Sequence, residues 1–153
     1  MNFVDLIILC GGLGTRLKRI TGPMPKILTK INDTPYLEYL LKQVSVFGFD
    51  NITLSCGYGS ENIQYWVDNS IYNNVVNIVK EDKPLGTAGA IKYAAIKNGN
   101  DKIAINGDTI LNFNYDKFYK FSKHESDICI GVKNVKKNKY KESGFVSIND
   151  ENK

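Results

Sequence analysis

Short apolar runs alternate with segments of helical periodicity along the chain, and this alternation limits the fold more than any other feature. The first run, from Phe3 to Leu9, ends at glycines and suits a strand that is buried on both faces. The segment from Tyr36 to Phe47 carries apolar residues at helical spacing, and Pro35 suits the first turn of that helix. Strands that alternate with helices indicate an α/β domain with a largely parallel sheet.

The remaining predicted elements continue this pattern. Strands are predicted at Ile52–Ser55, Val75–Val79, Lys102–Ile105, Asp127–Val132 and Gly144–Ile148, and helices at Ser60–Val67, Gly86–Lys97 and Phe113–His124. Ser60 is expected to cap its helix through its hydroxyl group. A length of 153 residues is typical of one domain, so we expect a single domain over residues 1–153. In a parallel sheet, ligands bind beyond the carboxyl ends of the strands, so the residues that follow each strand are the candidates for a site.

Composition and charge exclude several classes of protein. Apolar residues make up 42% of the chain and charged residues 24%, which is ordinary for a globular domain and argues against disorder. The apolar run at residues 6–10 is too short to span a bilayer, and it follows Asp5 instead of basic residues, so we expect neither a signal peptide nor a membrane partner. The net charge is +4, but the lysine cluster at residues 133–141 carries no interleaved aromatic platform, since Tyr140 is the one aromatic residue in it. It is interpreted as solvated surface, without a nucleic-acid partner.

The three cysteines, Cys10, Cys56 and Cys129, lie far apart in apolar stretches and form no CxxC pair. This usage indicates reduced thiols and a cytoplasmic location. Cys10 is expected to be a small buried thiol, not a reactive one. Trp66 is expected to contribute to packing.

A glycine-rich segment follows the first predicted strand: Cys10-Gly11-Gly12-Leu13-Gly14-Thr15-Arg16-Leu17, with Pro25-Lys26 shortly after it. Glycines let backbone N–H groups approach an anion closely, and the start of a helix adds its positive end. Arg16 can bind phosphate oxygens with two N–H groups, and Lys26 offers a point charge. A dinucleotide-binding GxGxxG requires glycine where Leu17 stands, and a P-loop requires GKS or GKT. The pattern predicts a phosphate-binding loop; the alternative is a tight turn with incidental cations.

The string GGLGTRL followed by PK resembles the signature of the sugar-1-phosphate nucleotidyltransferases. Residues 81–90, EDKPLGTAGA, are similar to the family's loop that holds the nucleotide base and ribose. Residues 105–109, INGDT, are similar to the segment whose aspartate binds the catalytic magnesium. The three motifs stand in the family's order. The resemblance implies a Rossmann-like, mixed, mostly parallel sheet flanked by helices, of the nucleotide-diphospho-sugar transferase type.

The resemblance also implies a role for each matched residue. Arg16 is expected to hold the β- and γ-phosphates, Lys26 to neutralise the α-phosphate and the incoming sugar phosphate, and Asp108 to bind the Mg²⁺ cofactor. The nucleotide-binding residues are expected to be Leu9, Gly11, Gly12, Gly14, Thr15, Glu81, Gly86 and Thr87. Glu81 can read guanine, because a carboxylate accepts hydrogen bonds from N1–H and N2–H₂ of that base. A solvated surface glutamate is the alternative at this position.

Within the family, ILCGGLGTRL, TPYLEYLL and LSCGYGSE are most similar to the bacterial D-glycero-D-manno-heptose 1-phosphate guanylyltransferases, which make GDP-heptose for capsule or S-layer glycans. The implied substrates are GTP and heptose 1-phosphate. Uridylyl, cytidylyl or thymidylyl transfer to another sugar 1-phosphate stays open, as does a nucleotide-binding fragment without turnover. We expect the 153 residues to lack the family's C-terminal segment, which supplies a second acidic metal ligand and much of the sugar pocket. Homo-oligomerisation is expected from the resemblance alone.

Overall fold

The structure, a computed structural model, describes residues 4–12, 22–95, 100–125 and 128–132. In these residues the strands are β1 (Val4–Leu9), β2 (Lys30–Ile31), β3 (Thr34–Pro35), β4 (Ile52–Cys56), β5 (Val76–Lys80) and β6 (Asp101–Asn106). The α-helices are α1 (Tyr36–Ser45), α2 (Ser60–Asp68), α3 (Gly86–Ala95) and α4 (Tyr115–Glu125), and a 3₁₀ helix spans Lys26–Leu28. None of these helices combines the length and the apolar character that crossing a membrane requires.

The chain divides into two compact units, Met1–Phe113 and Asn114–Lys153. The first unit contains a four-stranded sheet in the order β5-β4-β1-β6, in which every pairing is parallel. A short antiparallel hairpin, β2–β3, forms a second sheet in the same unit. In the second unit the described regular element is α4.

Strand β1 lies between two parallel neighbours, and its composition explains this central position. Val4, Leu6 and Ile8 are fully buried, and Ile7, which points to the opposite face, is 1% exposed. A strand that is apolar on both faces suits the middle of a parallel sheet, where helices cover both sides. The strand predicted from the apolar run is thus confirmed at Val4–Leu9.

The helices bury the faces that their periodicity indicates. In α1 the buried residues are Leu37, Leu40, Leu41 and Val44, which recur at the spacing of one helical face. Helix α3 packs on β1 and β4 and buries only Ala90 and Ala94, two small residues that lie one turn apart. The predicted α/β fold with parallel strands and flanking helices is therefore confirmed.

Several local predictions were wrong. Ser60 does not cap α2: Gly59 occupies the N-cap position with a φ of 72°, and Ser60 is the first residue of the helix. Residues 128–132 form no strand, although Ile128, Ile130 and Val132 alternate as a strand would. These three side chains are exposed, so the alternation does not mark a buried face of a strand. The strand predicted at 144–148 lies outside the described residues.

The pairing of β1 with β6 continues one step beyond both strands. The Gly107 N–H donates to the Leu9 carbonyl oxygen over 2.9 Å. A Cβ atom at residue 107 would lie 2.7 Å from that oxygen and 3.1 Å from the Sγ atom of Cys10. Only glycine therefore allows the chain to approach β1 this closely just before Asp108.

We expect Gly107→Ala to lower the free energy of unfolding by about 1–3 kcal/mol, because backbone atoms must move to admit the methyl group. Urea denaturation measures the change. Gly12→Ala is the matched control, since a Cβ atom there meets no atom of the described residues within 4 Å. The free energy of unfolding of Gly12→Ala should stay within about 0.5 kcal/mol of that of the unaltered chain. Equal unfolding midpoints for the two variants would contradict the steric argument.

Candidate active site

A pocket of about 570 Å³ opens at the carboxyl edge of the four-stranded sheet. Its lining residues come from four stretches of the first unit, within 9–12, 26–36, 81–90 and 106–108. Three of these stretches directly follow β1, β5 and β6, whose carboxyl ends meet at one edge because the strands are parallel. The three motif segments found in the sequence therefore meet around one cavity.

Most of the predicted site residues reach this pocket. Those that line it are Leu9, Gly11, Gly12, Lys26, Glu81, Gly86, Thr87 and Asp108. Gly14, Thr15 and Arg16 lie outside the described residues. The functional roles that the sequence suggests for all of these residues stay predictions.

Lys26 and Asp108 form an ion pair at the pocket, with 3.0 Å between Nζ and Oδ2. Lys26 opens the 3₁₀ helix, whose next two residues, Ile27 and Leu28, are buried and anchor it. The hydrogen bond from Lys26 lowers the pKa of Asp108, and the Lys26 charge and a hydrogen bond from the Thr109 hydroxyl act in the same direction. Asp108 is therefore held as a carboxylate beside a cation, and both side chains remain about half exposed to a ligand.

Glu81 follows β5 and is oriented by neighbouring groups. Its backbone N–H donates to the Cys56 carbonyl oxygen over 2.7 Å, which continues the β4–β5 pairing. Its carboxylate accepts one hydrogen bond from the Ser55 hydroxyl at 2.9 Å and one from the Leu85 N–H at 3.3 Å. A carboxylate offers about four acceptor positions, so these two bonds leave capacity for a ligand. Glu81 is thus fixed in the pocket wall and is not a freely solvated surface residue.

The glycine at position 11 is required by this arrangement. A Cβ atom there would lie 2.9 Å from Oε1 of Glu81, the oxygen that accepts from Ser55. A larger residue would displace the carboxylate from its hydrogen bonds. The sequence motif therefore contributes space for Glu81 in addition to backbone N–H groups for an anion.

The sheet order separates the acidic residues of the pocket. Strands β5 and β6 stand at the two edges of the described sheet, three strand spacings apart, so Glu81 and Asp108 begin about 14 Å from one another. Cys10 lies between them. Its hydrogen bond with Cys56 and its burial raise the pKa of the thiol, and Asp108 and Glu81 add to the effect. Cys10 is therefore held as a protonated thiol, but it lines the pocket and is only partly buried, whereas the sequence predicted a buried thiol.

Sequence reasoning did not assign the polar pocket residues Thr29, Tyr36 and Asn106, nor Ser55, which donates to the Glu81 carboxylate. Asn106 ends β6 and Ser55 is the residue before the end of β4, and the carboxyl ends of the strands were expected to form the site, so their position was the available signal. Thr29 and Tyr36 flank the hairpin β2–β3, which the sequence analysis did not predict. Strands of two residues are too short to produce a recognisable alternation.

A metal site would rest on Asp108. The described part of the chain contains no cluster of three or more His, Cys, Asp or Glu side chains suited to a metal ion. Mg²⁺ is often bound by one or two carboxylates together with substrate phosphates. A single ionised carboxylate at the edge of the pocket fits that mode of binding.

The parallel sheet and the pocket at its carboxyl edge define an α/β domain with a ligand pocket in the position typical of such folds. The family model described as Nucleotidyl transferase matches residues 6–153. Because this match covers nearly the whole chain, the chain belongs to the nucleotidyl transferase family.

Two curated relatives are D-glycero-alpha-D-manno-heptose 1-phosphate guanylyltransferases. The protein from Campylobacter jejuni is 34% identical over 148 residues, which are 97% of this chain and 65% of that protein. The protein from Aneurinibacillus thermoaerophilus is 35% identical over 135 residues, 87% of this chain and 59% of that protein. The chain therefore spans less than two thirds of the length of these relatives.

Solved structures agree with the fold. The crystal structure of HddC from Yersinia pseudotuberculosis superposes with a TM-score of 0.69 at 38% identity, over 76% of this chain and 53% of that one. A second crystal structure of HddC, complexed with GMP-PN, matches at 39% identity with the same coverage. CTP:phosphocholine cytidylyltransferase from Streptococcus pneumoniae superposes with a TM-score of 0.60 at 30% identity, over 73% of this chain and 48% of that one.

We expect Lys26→Met to raise the pKa of Asp108 toward the ordinary value of an aspartate, because the main group that favours the charged form is removed. The depressed pKa means that the pair stabilises the fold at neutral pH and that this contribution is lost as the pH falls through the pKa of Asp108. A ¹³C NMR titration of the Asp108 carboxyl carbon measures the midpoint. Lys42→Met, which removes the partner of Glu38, is the control. An unmoved Asp108 midpoint in Lys26→Met would contradict the assigned cause.

Proposed function

We propose that this chain transfers a nucleotidyl group from a nucleoside triphosphate, with GTP favoured, to a sugar 1-phosphate, with heptose 1-phosphate favoured. The products are a nucleoside diphosphate sugar and pyrophosphate. One observation carries the proposal: a single pocket in a nucleotidyl transferase family chain holds the Lys26–Asp108 pair and the oriented carboxylate of Glu81. Identities of 34% and 35% to the two guanylyltransferases support the choice of substrates.

In the proposed reaction, an oxygen of the sugar 1-phosphate attacks the α-phosphorus of the triphosphate in line. The bond from the α-phosphorus to the oxygen that bridges to the β-phosphate breaks, and pyrophosphate leaves with that oxygen. The attacking phosphate is already anionic, so the step requires no general base. Two polyanions must approach one another, so catalysis depends on positioning and on fixed positive charge.

Two basic residues supply the fixed positive charge in this proposal. Lys26, half exposed at the pocket, neutralises the α-phosphate and the phosphate of the sugar. Arg16 holds the β- and γ-phosphates and stabilises the departing pyrophosphate, with Gly14 and Thr15 in the same loop. Backbone groups of Gly11 and Gly12 lie close to the base and ribose, where the absence of side chains leaves room for a ligand.

Asp108 is the residue that would hold Mg²⁺. Its carboxylate oxygens suit a hard cation, and Lys26 keeps the carboxylate ionised. The bound ion supplies electrostatic stabilisation of the charge on the phosphate oxygens. Thr109 donates to Oδ1 of Asp108 over 3.1 Å and so orients the carboxylate for this role.

Glu81 reads the base in this proposal. The hydrogen bonds from Ser55 and Leu85 orient its carboxylate, and its free acceptor positions suit the adjacent N1–H and N2–H₂ donors of guanine. Uracil lacks this pair of donors. The distance of about 14 Å between the ends of β5 and β6 separates base recognition from the reacting phosphates.

We infer a cytoplasmic location, which the three free cysteines and the nucleoside triphosphate substrate support. The product, GDP-heptose, is a precursor for surface glycans such as a capsule.

The first test replaces the two residues of the ion pair. Lys26→Ala and Asp108→Ala should each reduce pyrophosphate release from Mg²⁺–GTP and heptose 1-phosphate by a factor of about 10² or more, because each removes a fixed charge at the reacting phosphates. Lys92→Ala, at an exposed position of α3, should retain full activity. Sugar-dependent release that survives both substitutions would contradict the assignments. Thermal stabilisation by Mg²⁺–GTP without any release from the unaltered chain would indicate a nucleotide-binding fragment instead.

The second test concerns the base. Glu81→Gln should reduce the preference for GTP over UTP by about tenfold, because it replaces a charged acceptor by a neutral amide whose NH₂ opposes the donors of guanine. The ratio of kcat/KM for the two nucleotides measures the preference. Glu61→Gln, at an exposed position of α2, is the matched control. An unchanged ratio in Glu81→Gln would remove Glu81 from base recognition.

A further inference from the structure

The turn at residues 57–59, which follows β4, does not enter the reaction described so far, but it lies against the segment that carries Lys26. A Cβ atom at Gly59 would lie 2.5 Å from Cγ and 3.2 Å from Cδ of Pro25. Carbon atoms in contact are optimally about 3.5–4 Å apart. The ring of Pro25 therefore occupies the space that a side chain at residue 59 would need, and glycine is the residue that allows this contact.

Pro25 transmits its own position to Lys26. It is buried, and it directly precedes the lysine in sequence. It stands at the N-cap position of the 3₁₀ helix, and its carbonyl oxygen accepts from the Leu28 N–H over 2.9 Å. The ring fixes φ, so it cannot turn away from an approaching group as a flexible side chain would. A displacement of Pro25 therefore moves the backbone of Lys26 with it.

The turn is held from its other side as well. A Cβ atom at Gly57 would lie 3.2 Å from the Gly11 carbonyl oxygen, so this end of the turn packs on the backbone of the glycine-rich segment. The Gly59 carbonyl oxygen accepts from the Ile63 N–H over 3.3 Å, and Ile63 is fully buried in the core. The turn lies between Gly11 and Pro25, so a group added at residue 59 presses on Pro25.

The ion pair of Lys26 does not fix its backbone. Its side chain is 44% exposed and that of Asp108 is 52% exposed, and ion pairs with this exposure contribute little to holding a chain segment in place. The position of Lys26 is set by the residues on either side of it. These are Pro25 before it and the buried pair Ile27 and Leu28 after it.

We propose that Gly59 is a positioning residue for Lys26: its bare Cα atom seats the ring of Pro25, and this contact holds the lysine beside Asp108 and toward a bound phosphate. The inference rests on the proposed function, which supplies the phosphate ligand. Neither Gly59 nor Pro25 lines the pocket, so any effect of theirs on a ligand passes through Lys26. A misplacement of about 1 Å is enough to impair a positioned charge.

Isothermal titration of the full chain with Mg²⁺–GTP tests the proposal. Gly59→Ala should weaken GTP binding by about tenfold, because the methyl group displaces Pro25 and with it the lysine. In the Lys26→Ala background the same substitution should change the affinity by less than about twofold, since no lysine is left to displace. A residue that serves only the fold would weaken binding equally in both backgrounds.

Gly48→Ala is the control for backbone strain. Gly48 has a φ of 63°, close to the 72° of Gly59, and it does not line the pocket. Both substitutions should lower the melting temperature, because alanine disfavours the left-handed conformation. Gly48→Ala should nevertheless bind GTP within about twofold of the unaltered chain.

A second substitution at Pro25 provides the rescue. Pro25→Ala removes Cγ and Cδ, the two ring atoms that the new methyl group would meet most closely, so Pro25→Ala combined with Gly59→Ala should bind GTP more tightly than Gly59→Ala alone. Pro25→Ala by itself loosens the contact without strain at residue 59. It should weaken GTP binding by about threefold, again only where Lys26 is present, and it decides the question if Gly59→Ala does not fold.

The outcomes separate this inference from the proposed function. Unchanged GTP affinity in Gly59→Ala or in Pro25→Ala would overturn the inference, as would an equal loss in the Lys26→Ala background, a similar loss in Gly48→Ala, or the absence of rescue. Failure of the unaltered chain to bind Mg²⁺–GTP would overturn it together with the proposed function. If the expected binding pattern holds but the unaltered chain releases no pyrophosphate, the positioning role stands and the proposed transfer fails.

Discussion

The parallel pairing of β1 with β4 and β6 is the constraint on which the rest of the structure depends. Leu9 stands opposite Ser55 on one side and Asn106 on the other, so the strands end level with each other. The chain that leaves each strand therefore enters the same space. Hydrogen bonds continue this alignment beyond the strands, from Gly107 to Leu9 and from Glu81 to Cys56. The pocket exists because the segments that follow β1, β5 and β6 leave the sheet at the same edge.

The same order of strands distributes charge across the pocket. The Lys26–Asp108 pair lies beyond the edge strand β6, and Glu81 lies beyond the opposite edge strand, with the apolar strands β1 and β4 between them. The strands that precede the two carboxylates are about 14 Å apart, and each carboxylate has its own hydrogen-bond partners. Asp108 is fixed by a cation and a hydroxyl, whereas Glu81 is fixed by neutral donors. The two ends of one cavity thus differ in the chemistry that they offer.

Prediction from the sequence succeeded where the signal was local and strong. The strand predicted at Phe3–Leu9 and the helix predicted at Tyr36–Phe47 both rest on apolar residues that are close together in sequence. Both elements were confirmed in the described chain, and their ends lie within two residues of the predicted ends. Prediction failed where the outcome depends on partners distant in sequence. Residues 128–132 have strand periodicity but do not form a strand, and Gly59, not Ser60, stands at the N-cap of α2.

The sequence by itself determined the alternation of strands and helices, the order of the three motifs and the kinds of charge that they carry, because these properties depend on neighbouring residues. Only the tertiary structure decided which of the charges meet. Lys26 and Asp108 are 82 positions apart, and Ser55 and Glu81 are 26 apart, so their contacts exist only once the strands are in register. The burial of the Thr29 and Tyr36 hydroxyls likewise depends on a hairpin too short to leave a pattern. Such contacts are set by the packing of distant segments, which local sequence patterns do not encode.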